Sequence, residues 1–144
     1  MKISTKVIYS LCVLVDLAAH DPARPRRARD IARAQQIPEK YVSRLAMDLR
    51  RARLVRSARG AGGGFFLARP PAEITLLEIV ETMEGPVSVA DWLRPSPPRA
   101  RPARDPWEGL NDGLRRLLQG VALNDVLRAH LRQDAAAGLG DYCI

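Results

Sequence analysis

Basic and hydroxyl side chains repeat at helical spacing between residues 39 and 51. The apolar residues of the same stretch fall on the opposite side of a helix: Val42, Leu45, Ala46 and Leu49. Lys and Arg groups can neutralise DNA phosphates, and Ser and Arg side chains can hydrogen-bond base edges in the major groove. The spacing therefore predicts a DNA-facing helix on which Ser43 and Arg44 contact bases.

Two cysteines and two histidines are the other side chains that could carry chemistry. Cys12 lies in an apolar run and is expected in the core, whereas Cys143 lies near the end of the chain. His20 and His130 are isolated and are expected at the surface. The sequence has no Ser–His or Cys–His pairing, carboxylate pair or phosphate loop, so it predicts neither an enzyme nor a metal site.

The charge of the 144-residue chain is uneven. Its formal net charge is +7, but residues 1–70 hold 15 Lys and Arg against five Asp and Glu, and residues 71–144 hold eight against 11. An arginine-rich genome would enrich both halves alike. The asymmetry therefore favours a polyanion, such as nucleic acid, as the partner of the first half.

Length and composition predict one domain, or one domain with an appendage. A chain of this size, 47% apolar, can bury a core without a metal or disulfide staple. No apolar run approaches the roughly 18 residues of a membrane span, and the first residues do not resemble a signal peptide. We therefore expect a soluble cytoplasmic protein with no membrane partner.

A helix-turn-helix is predicted at about residues 28–51. It follows a first helix that begins after Ser4 and ends near His20, and a connector rich in Pro and Arg. A short helix is expected at about 30–35, and Pro38 suits the first turn of the next helix. A short helix, a tight turn and a second helix with a basic outer face are typical of a helix-turn-helix.

Residues 54–69 predict a β-hairpin, because two short β-prone runs flank the glycines of 60–64. A hairpin directly after a helix-turn-helix is the wing of a winged helix. The glycines could instead cradle a phosphate, but such a loop needs a following helix and a Lys-Ser/Thr pair, which are missing. We expect Arg59 and Gly60 at the wing tip to approach a minor groove.

The predicted DNA contacts come from the first helix, the third helix and the wing. Lys6 and Lys40 are expected to hold phosphates, and Glu39 is more consistent with a helix cap than with a base contact. The full set is Lys6, Lys40, Tyr41, Ser43, Arg44, Arg50, Arg51, Arg59 and Gly60.

The second half predicts three further helices. Thr75 and Glu78 form a capping box for a helix to about Glu84, and Asp105 caps a helix over 106–121. A 3-4 apolar seam runs along the latter helix and favours a dimer interface, because little core is left for it to face; an ordinary core-facing stripe is the alternative. The seam comprises Trp107, Leu110, Leu114, Leu117, Leu118 and Val121. A last helix is expected at about Asn124–Ala137.

The expected architecture is mainly α with a small β-hairpin wing, in three parts. Residues 1–70 form a winged helix-turn-helix, and residues 71–137 form a linker helix, a Pro/Arg loop and a dimerisation helix. Residues 138–144 are expected to be a flexible tail.

Several motifs resemble the Rrf2 family of winged-helix regulators. They are the starting Lys2–Lys6, Ile37–Val42 of the third helix, Leu54–Ser57, and above all the Arg–Gly wing Arg59–Pro70. Glu84–Pro86 and Trp107–Leu110 fit the same pattern, which spans about residues 1–130. The resemblance implies a homodimeric transcription factor, usually a repressor, that binds a two-fold DNA operator.

The iron–sulfur members of this family carry three cysteines in the loop before the dimerisation helix. Here that loop has none: Trp92 stands where a first cysteine is usual, and Arg101 and Arg104 stand where later ligands would be. A cluster needs thiolates, so we expect no iron–sulfur cluster and no other cofactor. In this respect the chain resembles the cysteine-metabolism repressors of the CymR branch.

The end of the chain, Tyr142, Cys143 and Ile144, also resembles that branch, in which an aromatic tail ending in Ile resembles a peptide that enters cysteine synthase. The resemblance implies that cysteine synthase is a partner, although the same residues could be an ordinary frayed end. Two alternatives stay open. One is a cluster-free regulator that responds to redox state or a small molecule, and the other is an enzyme-binding protein with vestigial DNA binding.

Overall fold

The computed structural model describes residues 3–89 and 105–140. Within these ranges the chain forms six α-helices, one two-stranded antiparallel sheet and a 3-10 turn at Pro71–Glu73. In chain order the elements are α1 (Thr5–Ala19), α2 (Ala28–Gln35), α3 (Glu39–Arg51), β1 (Val55–Ala58), β2 (Gly64–Leu67), α4 (Leu76–Glu84), α5 (Asp105–Gln119) and α6 (Leu123–Gly140). The mainly helical class with a hairpin wing is confirmed.

Helix α1 lies at the centre of the fold and contacts α2, α3, α4 and α6. Its Val13 and Leu14 are completely buried, and together with Ile31, Leu45 and Ile79 they belong to one aliphatic core. Ser4 precedes α1, but its hydroxyl donates to the Glu84 carboxylate instead of capping the helix. Ser4 therefore joins the start of α1 to the end of α4.

The turn between α2 and α3 has the helix-turn-helix geometry. Gln36 adopts the left-handed conformation with φ of 54°, and the Ile37 N–H donates to the Ala32 carbonyl at 3.0 Å. Ile37 is 4% exposed and anchors the turn. Pro38 precedes α3 and accepts hydrogen bonds from Tyr41 and Val42, so it occupies the N-cap and not the first turn.

The wing is a hairpin with an added edge. Val55 pairs with Leu67, and Ala58 pairs with Gly64. Arg26 exchanges two backbone hydrogen bonds with Phe65, at 2.9 and 2.8 Å, which attaches the connector before α2 to β2. A Cβ on Gly64 would lie 2.5 Å from the Arg26 carbonyl oxygen, so this close approach requires glycine.

The second half closes the core from the other side. Thr75 and Glu78 form the predicted capping box of α4, with reciprocal hydrogen bonds of 3.2 and 3.0 Å. The Leu76 N–H donates to the Val121 carbonyl, and the Leu123 N–H donates to Ile74, so the α5–α6 connection is fixed to the start of α4.

Three predictions about this half differ from the structure. Asp105 is the first residue of α5 and not a cap before it, and α5 ends at Gln119, which leaves Val121 in the connection and outside the helical seam. Helix α6 continues to Gly140, so the tail predicted from residue 138 begins within a helix. The end of α5 follows from Gly120, whose N–H still bonds to Arg116 while the chain turns towards α4.

Two predicted segments lie outside the described residues. They are the Pro/Arg loop with Trp92, Arg101 and Arg104, and the final residues Tyr142, Cys143 and Ile144. Among the described helices, none is long and apolar enough to cross a membrane.

Candidate nucleic-acid interface

Helix α3 presents the predicted basic face to solvent. Its inner residues Val42, Leu45, Ala46 and Leu49 are completely buried, as the spacing predicted. Burial of this stripe fixes the rotation of α3, and the outward side chains follow from it. Lys40, Arg44, Met47, Arg50 and Arg51 are exposed, and Ser43 is half-buried. The arrangement offers a cationic helix face wide enough to meet a phosphate backbone.

Asp48 interrupts the positive charge of this face. Its two carboxylate oxygens lie 3.3 Å from the Lys6 ammonium and 3.4 Å from an Arg51 guanidinium nitrogen. The first of these ion pairs joins α1 to α3. Lys6 and Arg51 were both expected to contact DNA. To contact a phosphate, each would have to keep its ion pair with Asp48 at the same time or break that pair. Sequence reasoning missed Asp48, although an acid within a basic helix face is visible in the sequence.

Two arginine side chains help to attach the wing to the helix-turn-helix. Arg50 donates to the Ser57 hydroxyl on β1 at 3.0 Å, and Arg27 donates to the Ala61 carbonyl in the turn at 2.6 Å. Arg59 is exposed in that turn, and Gly60 has φ of 97°, a conformation that favours glycine. Arg27 was not predicted to matter, because nothing in the local sequence shows that it meets a residue 34 positions away.

Tyr41 differs from the other predicted DNA contacts. It is half-buried, and its ring meets the ring of Tyr9 edge to face, with centroids 5.6 Å apart and planes at 80°. Such a pair is a favourable aromatic geometry. Tyr41 therefore packs α3 against α1, and a DNA contact by its hydroxyl stays a prediction.

A buried ion pair lies behind the wing. Asp16 is 3% exposed and accepts two hydrogen bonds from Arg26, at 2.8 and 3.1 Å, and one from Gln35 at 3.3 Å. The hydrogen bond to Asp16 raises the pKa of the Arg26 guanidinium above its ordinary value. These contacts connect α1, the connector before α2, and α2. They thereby position the connector segment that pairs with β2.

The predicted dimer seam is partly uncovered in the single chain. Leu110 is 57% exposed and Leu117 is 72% exposed, whereas Trp107, Leu114 and Leu118 are half-buried. Arg115 of α5 pairs with Glu81 of α4, which fixes the inner side of the helix. Large leucines left in water on one helix face are typical of a surface that another molecule covers.

Cys12 and the two histidines are dispersed. Cys12 is half-buried beside the core, and burial raises the pKa of its thiol. The His20 ring is hydrogen-bonded to the backbone carbonyl of Asp16, and the His130 ring lies 3.2 Å from the Asp134 carboxylate on α6. Within residues 3–89 and 105–140, no three His, Cys, Asp or Glu side chains come together as a metal site would require.

The comparison with known families decides the identity of this winged helix. The family model Rrf2, described as an iron-dependent transcriptional regulator, matches residues 3–129. The chain belongs to the Rrf2 family. The HTH-type transcriptional regulator CymR of Bacillus subtilis is 35% identical over 126 residues, which cover 88% of this chain and 89% of the relative.

Two solved structures show the same Rrf2 architecture. The structure of CymR, described as the global cysteine regulator of B. subtilis, has a TM-score of 0.75 at 33% identity, over 90% of this chain and 98% of that one. The oxidized form of Staphylococcus aureus CymR has a TM-score of 0.67 at 31% identity, over 88% and 96%. This Rrf2 chain is therefore a DNA-binding transcriptional regulator with a winged helix.

Proposed function

We propose that this Rrf2 protein is a homodimeric repressor that binds a two-fold operator in the cytoplasm. The observation that carries the proposal is the basic outer side of α3 together with the wing that Arg27 and Arg50 attach beside it. In a winged helix of this kind, α3 enters the major groove and the wing tip reaches the neighbouring minor groove.

The residues of this surface then have distinct roles. Arg44 and Ser43 lie on the outer face of α3, where a guanidinium can contact guanine with two hydrogen bonds. Lys40, Arg50 and Arg51 neutralise phosphates and make the affinity depend on salt. Arg59 enters the minor groove, where narrow A·T stretches concentrate negative potential.

Arg59→Ala tests the role of the wing. Loss of this contact should weaken operator binding by about 1–3 kcal/mol, and more on an A·T-rich operator than on a G·C-substituted one. Arg132→Ala removes the same charge from the exposed face of α6 and serves as the control. Fluorescence anisotropy at fixed salt measures the operator affinity of both variants. Equal losses of affinity for Arg59→Ala on the two operators would show that Arg59 contacts only phosphate.

We also propose that the protein works without an iron–sulfur cluster, in contrast to the iron-dependent description of the family. The sequence has two cysteines, and Cys12 is half-buried on α1 with a raised thiol pKa, a poor state for a thiolate ligand. Protein purified without oxygen should be colourless. An iron-dependent visible absorbance band that survives chelation would contradict this.

The finer proposal is control of cysteine metabolism together with cysteine synthase. It is supported by the 35% identity to CymR and by the structural similarity to the protein described as a global cysteine regulator. The expected contact is through Tyr142, Cys143 and Ile144. Removal of these three residues should abolish capture of cysteine synthase while operator binding by the regulator alone is unchanged; equal capture by both chains would end the proposal.

Genomic footprinting would identify the regulated genes. Purified full-length protein should protect two-fold sites, and addition of cysteine synthase should change their occupancy. If no genomic site is protected while cysteine synthase is captured, the enzyme-binding alternative with vestigial DNA binding is favoured.

A redox-responsive regulator is a second candidate, favoured by the existence of an oxidized form of the similar S. aureus CymR. In this chain Cys143 would be the sensor, because Cys12 is half-buried beside the core. Peroxide should then change operator affinity in the unmodified protein but not in Cys143→Ser.

A further inference from the structure

A cavity of about 490 Å³ lies behind the wing, between β2 and the connector that joins α1 to α2. Leu17 and Ala18 of α1 form one wall, and Phe65, Phe66 and Leu67 of β2 form the opposite wall. This volume is within the range of sites that enclose small organic ligands. The cavity is separate from the outer face of α3.

The cavity lies where the connector between α1 and α2 stops pairing with β2. Arg26 and Phe65 form a hydrogen-bonded pair, so continued antiparallel pairing would place Arg24 opposite Leu67 in the next hydrogen-bonded pair. The chain instead turns at Asp21, whose carbonyl accepts from the Arg24 N–H at 3.0 Å. Because alternate residues of a strand bond to opposite sides, the N–H and C=O of Leu67 point to the vacated side.

The charged lining is strongly positive. Four arginines face the cavity against one acid, Asp21; they are Arg24, Arg26, Arg56 and Arg69. Arg26 is satisfied by Asp16, and Arg69 pairs with Glu78 at 2.7 Å. Arg24 has only a loose, exposed pair with Asp21 at 3.7 Å.

Arg56 is the least satisfied of these cations. Its guanidinium carbon lies 4.5 Å from the centroid of the Phe66 ring, and no carboxylate pairs with it among the residues that the structure describes. The cavity thus combines an aromatic and aliphatic wall with two guanidinium groups that have donors to spare. An apolar body with one anionic group matches both features.

We propose that this cavity binds a small organic anion, a carboxylate or sulfonate on an aromatic or aliphatic body. The anion contacts Arg24 and Arg56, and the body lies against Phe66 and Leu67. Because β2 directly follows the wing turn that contains Arg59, a ligand held against this strand also changes the operator affinity. By thermodynamic linkage, DNA then changes the ligand affinity by the same factor. The effect of the ligand on operator affinity rests on the proposed DNA-binding function, whereas the binding of the ligand in the cavity does not.

The first experiment uses 8-anilinonaphthalene-1-sulfonate, an aromatic sulfonate that fluoresces when bound in an apolar site, titrated into the full-length protein. Arg24→Gln/Arg56→Gln should weaken binding at least fivefold, and Ala68→Trp should abolish it by filling the cavity from its rim. Arg128→Gln/Arg132→Gln and Ala135→Trp make the same changes on the exposed surface of α6 and should bind as the unmodified protein does.

Dye that adhered to the exposed leucines of α5 would not respond to the cavity variants. Equal affinity in the cavity variants and their controls would therefore overturn the site. The second experiment measures operator affinity with and without saturating dye, and a change of threefold or more is expected in the unmodified protein but not in Ala68→Trp. Dye binding at the cavity without such a change would overturn the linkage to the wing. Failure to bind operator even without dye would instead count against the proposed DNA-binding function.

Discussion

Arg26 donates two hydrogen bonds to the buried carboxylate of Asp16, and through its backbone it also holds β2. One residue therefore connects the central helix α1 to the wing. The two partners differ in exposure: the Asp16 side chain is 2% exposed, whereas the Arg26 side chain is 22% exposed. Removal of the Arg26 side chain and removal of the Asp16 side chain should therefore destabilise the fold by different amounts.

Arg26→Ala should destabilise the fold more than Asp16→Ala does. Loss of the guanidinium leaves a buried carboxylate without its main partner, which costs about 3–5 kcal/mol. Loss of the carboxylate leaves an arginine that can turn partly into water, so we expect about 1–3 kcal/mol. Urea unfolding measures both free energies, with Arg132→Ala as the control. A larger loss for Asp16→Ala would contradict this account.

The ion pair also shows where sequence reasoning stopped. The Thr75–Glu78 capping box and the buried stripe of α3 depend on residues three or four positions apart, and these local patterns predicted them correctly. The Asp16–Arg26 pair and the bond from Arg27 to Ala61 join distant segments, and no spacing rule identifies such partners. Val121 was misplaced for the same reason, because its carbonyl bonds to Leu76 across the fold.

The capping box should contribute to the stability of the fold in a way that is lost at acid pH. Burial alone would raise the pKa of Glu78, but hydrogen bonds from the Thr75 backbone and the pairing with Arg69 outweigh it, and the pKa falls below its ordinary 4.5. A carboxylate with a lowered pKa stabilises the folded state fully above its ordinary pKa. That stabilisation is lost as pH falls through the lowered value.

Glu78→Gln should therefore unfold more easily than the unmodified protein near pH 7, and the difference should shrink as the pH falls below about 4.5. Chemical denaturation at a series of pH values measures this difference. Glu73→Gln changes an exposed acid of the neighbouring turn, so its small effect should vary less with pH. A difference for Glu78→Gln that stays constant across the acid range would show that Glu78 acts only as a neutral acceptor.

Asp48 competes with DNA for Lys6 and Arg51. Asp48→Asn should release both cations and remove a negative charge from the α3 face, so operator affinity should rise by about threefold to tenfold at low salt. The gain should decrease as salt screens the interface. Anisotropy titrations at several salt concentrations test this, with Asp134→Asn on α6 as the control. Unchanged or weaker binding would mean that Asp48 holds Lys6 in the position that DNA requires.

The final prediction concerns the leucines of α5. Leu117 is 72% exposed, so Leu117→Asp should leave the fold of a single chain intact, as circular dichroism can verify. In a dimer that buries this seam, the same substitution places an unpaired charge in an apolar contact and costs about 3–5 kcal/mol. The variant should sediment as a monomer and lose affinity for a two-fold operator, because each half-site is then bound alone. Ala72→Asp adds the same charge at an exposed position outside α5 and should stay dimeric. A Leu117→Asp protein that sediments as a dimer would place the interface on another face of the molecule.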